Sequence, residues 1–191
     1  MAIRLLLKTS ERVRVVSPYD PAAGEFKDRL LADDLDVLQG VSIPDATWFE
    51  LRGLSAGEIR RLRPLLPQPP EDVRAWLSAV AAGEAAPESP TLDRNFSAWQ
   101  AEMGYVYLRA CLESVSGLDG WPSSREQFLG LNLWPECATD SLPSDTGRWL
   151  GTLAYRLSML PPEKKSHSGS PPVEPNGTTA ESPKTTNEGN G

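Results

Sequence analysis

Few residues in this chain could carry chemistry. The single histidine, His167, sits between Ser166 and Ser168 in a stretch rich in Pro, Ser, Thr, Asn and Gly. A Ser–His or Cys–His pair needs an imidazole held ~3 Å from its partner by packed structure, which such a stretch does not supply. Cys111 and Cys137 are the two cysteines, with no Cys-x-x-Cys spacing. With one histidine beyond them they cannot supply the four ligands of a zinc site, and they read as reduced, buried thiols. No phosphate-cradling loop, dinucleotide glycine fingerprint or nucleophile elbow is present. The expectation is a protein that is not an enzyme, with no cofactor and no metal.

Two charged clusters remain. Asp33, Asp34 and Asp36 could place oxygens on a divalent ion, but hard cations need several converging oxygens and no second acidic motif matches. A solvated helix end or loop is the simpler reading. Arg60, Arg61 and Arg63 could touch phosphate or an acidic partner, or form the outer face of a helix. The six tryptophans carry more information: Trp48, Trp76, Trp99, Trp121, Trp134 and Trp149. Trp99 and Trp149 fall on helical apolar faces and are expected in the core. Trp121 and Trp134 stand beside prolines in irregular segments, where they either pin loops to the body or present a binding surface. Together with Trp48 they are the candidate partner-binding residues.

The elements that must position these residues follow from spacing. Ile3–Lys8 and Val13–Val16 are short β-prone runs that form a candidate hairpin, and Thr47–Arg52 is a further strand. Phe26–Leu38 has a helical apolar rhythm at 26, 30, 31, 35 and 38. Ser55-Ala56-Gly57-Glu58 is a capping box that opens a helix expected to end or kink at Pro64. Glu71–Ala82 makes another helix with an acidic first turn. The longest helix spans about Leu92–Ser116, with Leu92, Phe96, Trp99, Met103, Val106, Ala110 and Leu112 on one stripe. Ser123-Ser124-Arg125-Glu126 suggests a second capping box, opening a short helix through Phe128 and Leu131. Pro135, Cys137 and Asp140 read as loop, and Leu142-Pro143-Ser144-Asp145 opens a last helix ending near Leu160.

The fold class is therefore α+β, mainly helical. A short β-rich N-terminal element (1–54) precedes a helical body (55–160, with a linker near 84–91). A disordered C-terminal tail (161–191) follows, whose only branched aliphatic is Val173. A net charge of −7 over 191 residues argues against nucleic acid, which requires clustered Lys and Arg. No apolar run approaches the ~18 residues of a membrane span, and Met1–Lys8 is too short in its apolar part for a signal peptide. These features suit a soluble, cytoplasmic, protein-binding chain.

Three stretches together resemble phage tail assembly chaperones and related tail-gene proteins of long-tailed bacteriophages. The first is Val15-Val16-Ser17-Pro18-Tyr19-Asp20-Pro21 ahead of Thr47-Trp48-Phe49-Glu50-Leu51-Arg52-Gly53-Leu54-Ser55. The second is the helix Tyr105–Leu112 closing on Gly117-Leu118-Asp119-Gly120-Trp121. The third is Asp140–Asp145 leading to Leu157-Ser158-Met159-Leu160. The resemblance covers residues 12–160 in scattered matches. It implies a non-catalytic chain that holds the long tape-measure protein during tail morphogenesis and then leaves. The other function classes are a structural virion part of the tail or neck, and a regulatory binding module of other origin.

Overall fold

A computed structural model describes residues 12–85 and 88–159. The expected strand Ile3–Lys8 and the tail beyond Pro161, with His167, lie outside the described residues. Strand β1 (Arg12–Val16) pairs antiparallel with β2 (Trp48–Arg52), Val15 opposite Phe49 and Val16 opposite Trp48. Their alternation sends Val15, Phe49 and Leu51 into the core, each 2% exposed or less.

The third strand corrects the helix expected to run to Ser116. Helix α4 (Leu92–Cys111) stops one residue before Leu112, and Leu112–Ser116 is β3, antiparallel to β2. Ser and Val are indifferent helix formers, and β2 has a free edge that they complete, so pairing decides the segment. A bulge between Glu50 and Leu51 shifts the β2–β3 register. The sheet thus joins strands from both sides of residue 54, in the order β1-β2-β3.

Between β1 and β2 the expected Phe26–Leu38 helix is broken into pieces. These are a 3-10 turn (Pro21–Phe26), the short α1 (Lys27–Leu31) and a second 3-10 turn (Leu35–Leu38). Asp33 interrupts them at φ 60°, in the left-handed region that Asp tolerates better than most residues. The acidic cluster is dispersed among separate partners. Asp33 pairs with Arg156, Asp34 with Arg29 at 2.6 Å, and Asp36 accepts from Gln39 Nε2 at 2.8 Å.

Helix α2 (Ala56–Leu62) has both halves of its capping box, Ser55 accepting from the Glu58 amide and Glu58 reaching back to the Ser55 amide. It tightens into a 3-10 turn, Arg63–Leu65, at Pro64. Helix α3 (Glu71–Ala82) follows, closed by Gly83. The second expected capping box at Ser123 is not a helix start: Glu126–Phe128 (β4) and Leu131–Leu133 (β5) form an antiparallel hairpin. Leu129 and Gly130 make its two-residue turn with φ of 50° and 70°, the all-positive pattern of a type I′ turn whose twist suits a hairpin. Pro135, Cys137 and Asp140, expected in loop, belong to a short helix, α5 (Glu136–Asp140, with Pro135 as its cap). Cys137 is exposed there rather than buried.

Helix α6 (Ser144–Met159) lies against α4 and reaches β2. Its buried small residues Gly147, Gly151, Ala154 and Ser158 face α4 so closely that a Cβ on Gly151 would sit 2.8 Å from the Gly104 carbonyl carbon. Cys111 is wholly buried between the two helices, its sulfur 3.3 Å from Ser158 Oγ. Burial pushes its thiol up to about 12, partly opposed by that hydroxyl, so it is an inert packing group. No helix among the described residues is long and apolar enough to cross a membrane.

Candidate functional site

The structure does not bring the three candidate tryptophans together on a surface. Trp134 is 6% exposed and its indole N–H donates to Leu112 O at 2.7 Å. The Trp134 amide donates to Arg109 O at 3.0 Å, and Arg125 Nη2 donates to the Leu112 and Glu113 carbonyls, both at 2.6 Å. Arg109 O lies in the last turn of α4, Leu112 is its C-cap and Glu113 begins the strand beyond, so Trp134 and Arg125 together close the junction of α4 with β3. Trp121 packs edge-on against Trp134 with ring centroids 5.4 Å apart, pinning the loop after β3 to the body. It is half-buried, and its indole N–H is buried without an acceptor among the described residues. Trp48 is 7% exposed, its ring covered by the Arg14 guanidinium at 4.2 Å.

A different aromatic group stands apart from the core. Among the described residues, the main apolar core takes nothing from α3 and nothing from α4 before Tyr105. Here α3 and the first three turns of α4 build an arm of their own. Trp76 meets Phe96 edge-on at 5.4 Å, and Phe96 meets Trp99 at 5.9 Å. All three rings are half-buried, as are Leu77 and Met103, and Val80 is 53% exposed. Trp99, expected in the core, is instead the inner member of this arm, its Nε1 donating to Pro67 O at 2.9 Å.

The arm's geometry is set by local sequence. Prolines at 67, 69 and 70 end the preceding segment and start α3, and Pro90 precedes α4. Asp72 ties the two helix starts together. Its Oδ2 accepts from Thr91 Oγ1 and Asn95 Nδ2, both at 2.9 Å, and from Ser89 Oγ at 3.3 Å, while Oδ1 takes the Val73 amide at 2.9 Å. Desolvation pushes this carboxyl up, but the hydrogen bonds from Thr91, Asn95, Val73 and Ser89 together draw it below its ordinary value.

The arrangement holds no histidine or cysteine, and its carboxylate, Asp72, is engaged by four donors. It can bind: half-buried aromatic rings with polar groups engaged at the base resemble the anchors of protein interfaces. Periodicity placed Trp76, Phe96 and Trp99 on stripes but not where the stripes point. The available signal was the run of prolines on either side of α3, which sets that helix chiefly against the start of α4 among the described residues. No protein-family model, curated protein or solved structure matches this chain.

Proposed function

We propose that this chain is a non-catalytic protein-binding protein whose α3–α4 arm receives an apolar helical segment of its partner. The observation that carries the reading is the separation of Trp76, Phe96 and Trp99 from the main core, with Val80 exposed beside them. An amphipathic helix laid on such a surface gains aromatic contact area and leaves again without covalent change, which is what a transient holding role requires. The specific assignment rests on the sequence resemblance: a phage tail assembly chaperone that holds the tape-measure protein in the host cytoplasm. A net charge of −7 suits a chain that must stay dissolved when unloaded.

The test is co-expression of the full chain with the tape-measure product of its own gene cluster, followed by affinity purification. Wild type is expected to retain that product, and Val80→Asp and Trp76→Ala to lose it at about tenfold or more in affinity while remaining folded. Retention unaffected by both variants would overturn the arm as the binding surface. Recovery of the chain from finished particles would replace the chaperone reading by a structural virion part.

A further inference from the structure

The α3–α4 arm carries a charge that its own fold does not use. Residues 71–103, which hold α3 and the aromatic half of α4, contain six carboxylates (Glu71, Asp72, Glu84, Glu88, Asp93 and Glu102) and two arginines (Arg74 and Arg94). Their net charge is −4, out of −7 for the whole chain, so the arm is the acidic part of the molecule. Asp72 is taken up by its neutral donors, and the other five carboxylates are exposed. Among the described residues none of the six forms an ion pair. In the rest of the molecule Asp33, Asp34, Glu50, Glu58, Glu113 and Glu136 all meet an arginine. Helical spacing, at about 100° per residue, places two of the arm's acids beside its rings. Phe96, Trp99 and Met103 form one stripe of α4, Asp93 and Glu102 fall on its two borders, and Arg94 lies on the opposite side. Arg74 is directed to the Pro69 carbonyl, at 3.3 Å.

We propose that the segment received by the arm is a basic amphipathic helix, with Lys or Arg bordering its apolar stripe. This rests on the reading of the arm as the binding surface, and it adds the chemistry of the occupant. The apolar stripe meets Trp76, Val80 and the rings of α4, while the cations meet Asp93 and Glu102. Charge complementarity selects the partner: a helix of the same apolar pattern with acidic borders would set like charges against each other. The same borders disfavour an anionic lipid surface and nucleic acid, which both bring negative charge. They also repel a second copy of the arm, so two empty chains do not cover one another's rings.

The experiment measures, by fluorescence anisotropy, the binding of two labelled helical peptides to the full chain. They share one stripe of Leu and Phe at i, i+3, i+4 and i+7 and differ only in its borders, Lys in one and Glu in the other. The Lys peptide should bind about tenfold or more tighter, and added salt should narrow the gap. Asp93→Asn combined with Glu102→Gln should remove most of that preference. The pair Glu25→Gln and Glu126→Gln makes the same change in charge on exposed residues of elements outside the arm, and should keep it. Val80→Asn removes apolar contact without changing charge, and should weaken the Lys peptide. Equal binding of the two peptides, both weakened by Val80→Asn, would overturn the basic partner and leave the arm as the binding surface. A preference lost equally in the two double variants would assign it to overall charge and also overturn the proposal. No binding of either peptide, or binding insensitive to Val80→Asn, would overturn the reading of the arm itself.

Discussion

Helix α4 is one continuous helix with two kinds of neighbour, and its halves behave as different materials. From Gly104 onward it buries Gly104, Tyr107, Leu108, Ala110 and Cys111 against α6 and the sheet. Before Gly104 none of its residues is buried, and its contacts are rings and hydrogen bonds to α3 and Pro67. The first half is held by broad aromatic faces that tolerate small displacements. The second is held by backbone approach, which does not. Stability should therefore reside in the α4–α6 crossing, and adaptability in the arm, where opening costs less.

The sharpest way to break this contrast is to add one side chain at the crossing. A Cβ at Gly151 meets Gly104 backbone at 2.8–3.1 Å, and those atoms belong to a second helix that cannot rotate away. Gly151→Val should cost about 3 kcal/mol, lowering the melting temperature by roughly 10 °C. Val80→Asp, on the arm, should stay within about 0.5 kcal/mol of wild type, because Val80 is already half in solvent. Thermal denaturation of the two variants decides it: equal losses would mean that the arm shares the core's stability after all.

A second contrast lies between two carboxylates. Glu58 sits beside the sheet, where Arg52 donates to it at 2.7 and 3.1 Å and the Ser55 amide and hydroxyl both donate at 2.8 Å. Desolvation pushes its carboxyl up, but the Arg52 guanidinium and Ser55 together outweigh that and bring it down from 4.5 to about 2. Arg52 is raised in turn, chiefly by Glu58 and Glu113. Because the folded value lies below the unfolded one, this stabilisation is complete above about pH 4.5 and is lost as pH falls toward 2. Its ceiling is roughly 3 kcal/mol, from 1.36 kcal/mol per unit. Asp72 is lowered too, but by neutral donors, so acid should also loosen the arm. Denaturant midpoints between neutral pH and pH 2.5 should fall for wild type and stay flatter for Glu58→Gln. A parallel fall in both would assign the acid sensitivity to other groups.

What was legible in the sequence follows the range of the interactions involved. Helix α3 matches its expected Glu71–Ala82 bounds, and the Ser55–Glu58 capping box is present in both halves, because periodicity and caps are local. The class, α+β and mainly helical, was legible for the same reason. The end of α4 was not: Leu112–Ser116 continues a helical stripe by spacing and becomes a strand only because β2, Trp48–Arg52, offers an edge from far earlier in the chain. The hairpin was hidden by a turn with leucine where Asn would have announced it. The candidate site suffered most. A tryptophan beside proline looks alike whether it closes a buried helix–strand junction, as Trp134 does, or lies open, and only the fold decides between them. Trp76 and Trp99 were visible as stripes, but which stripes reach the core depends on how many helices arrive to cover them.

The smallest predicted effect concerns the two edge-on indoles, which look equivalent in sequence and are not. Trp134 donates to Leu112 O, which also accepts from Arg125, so Trp134→Phe should remove one of that carbonyl's two donors and cost about 2 kcal/mol, much of it lost ring area. Trp121 has the same edge-on geometry, 64° between the planes, but its N–H meets no acceptor among the described residues. A buried, unsatisfied donor opposes folding by roughly 1 kcal/mol or more, so Trp121→Phe removes a penalty while losing some area. The two terms nearly cancel, and stability should change by less than about 0.5 kcal/mol in either direction. Urea denaturation of the two variants side by side makes the measurement. A loss at Trp121 equal to that at Trp134 would mean that its N–H finds an acceptor in solution, and the asymmetry between the two rings would disappear.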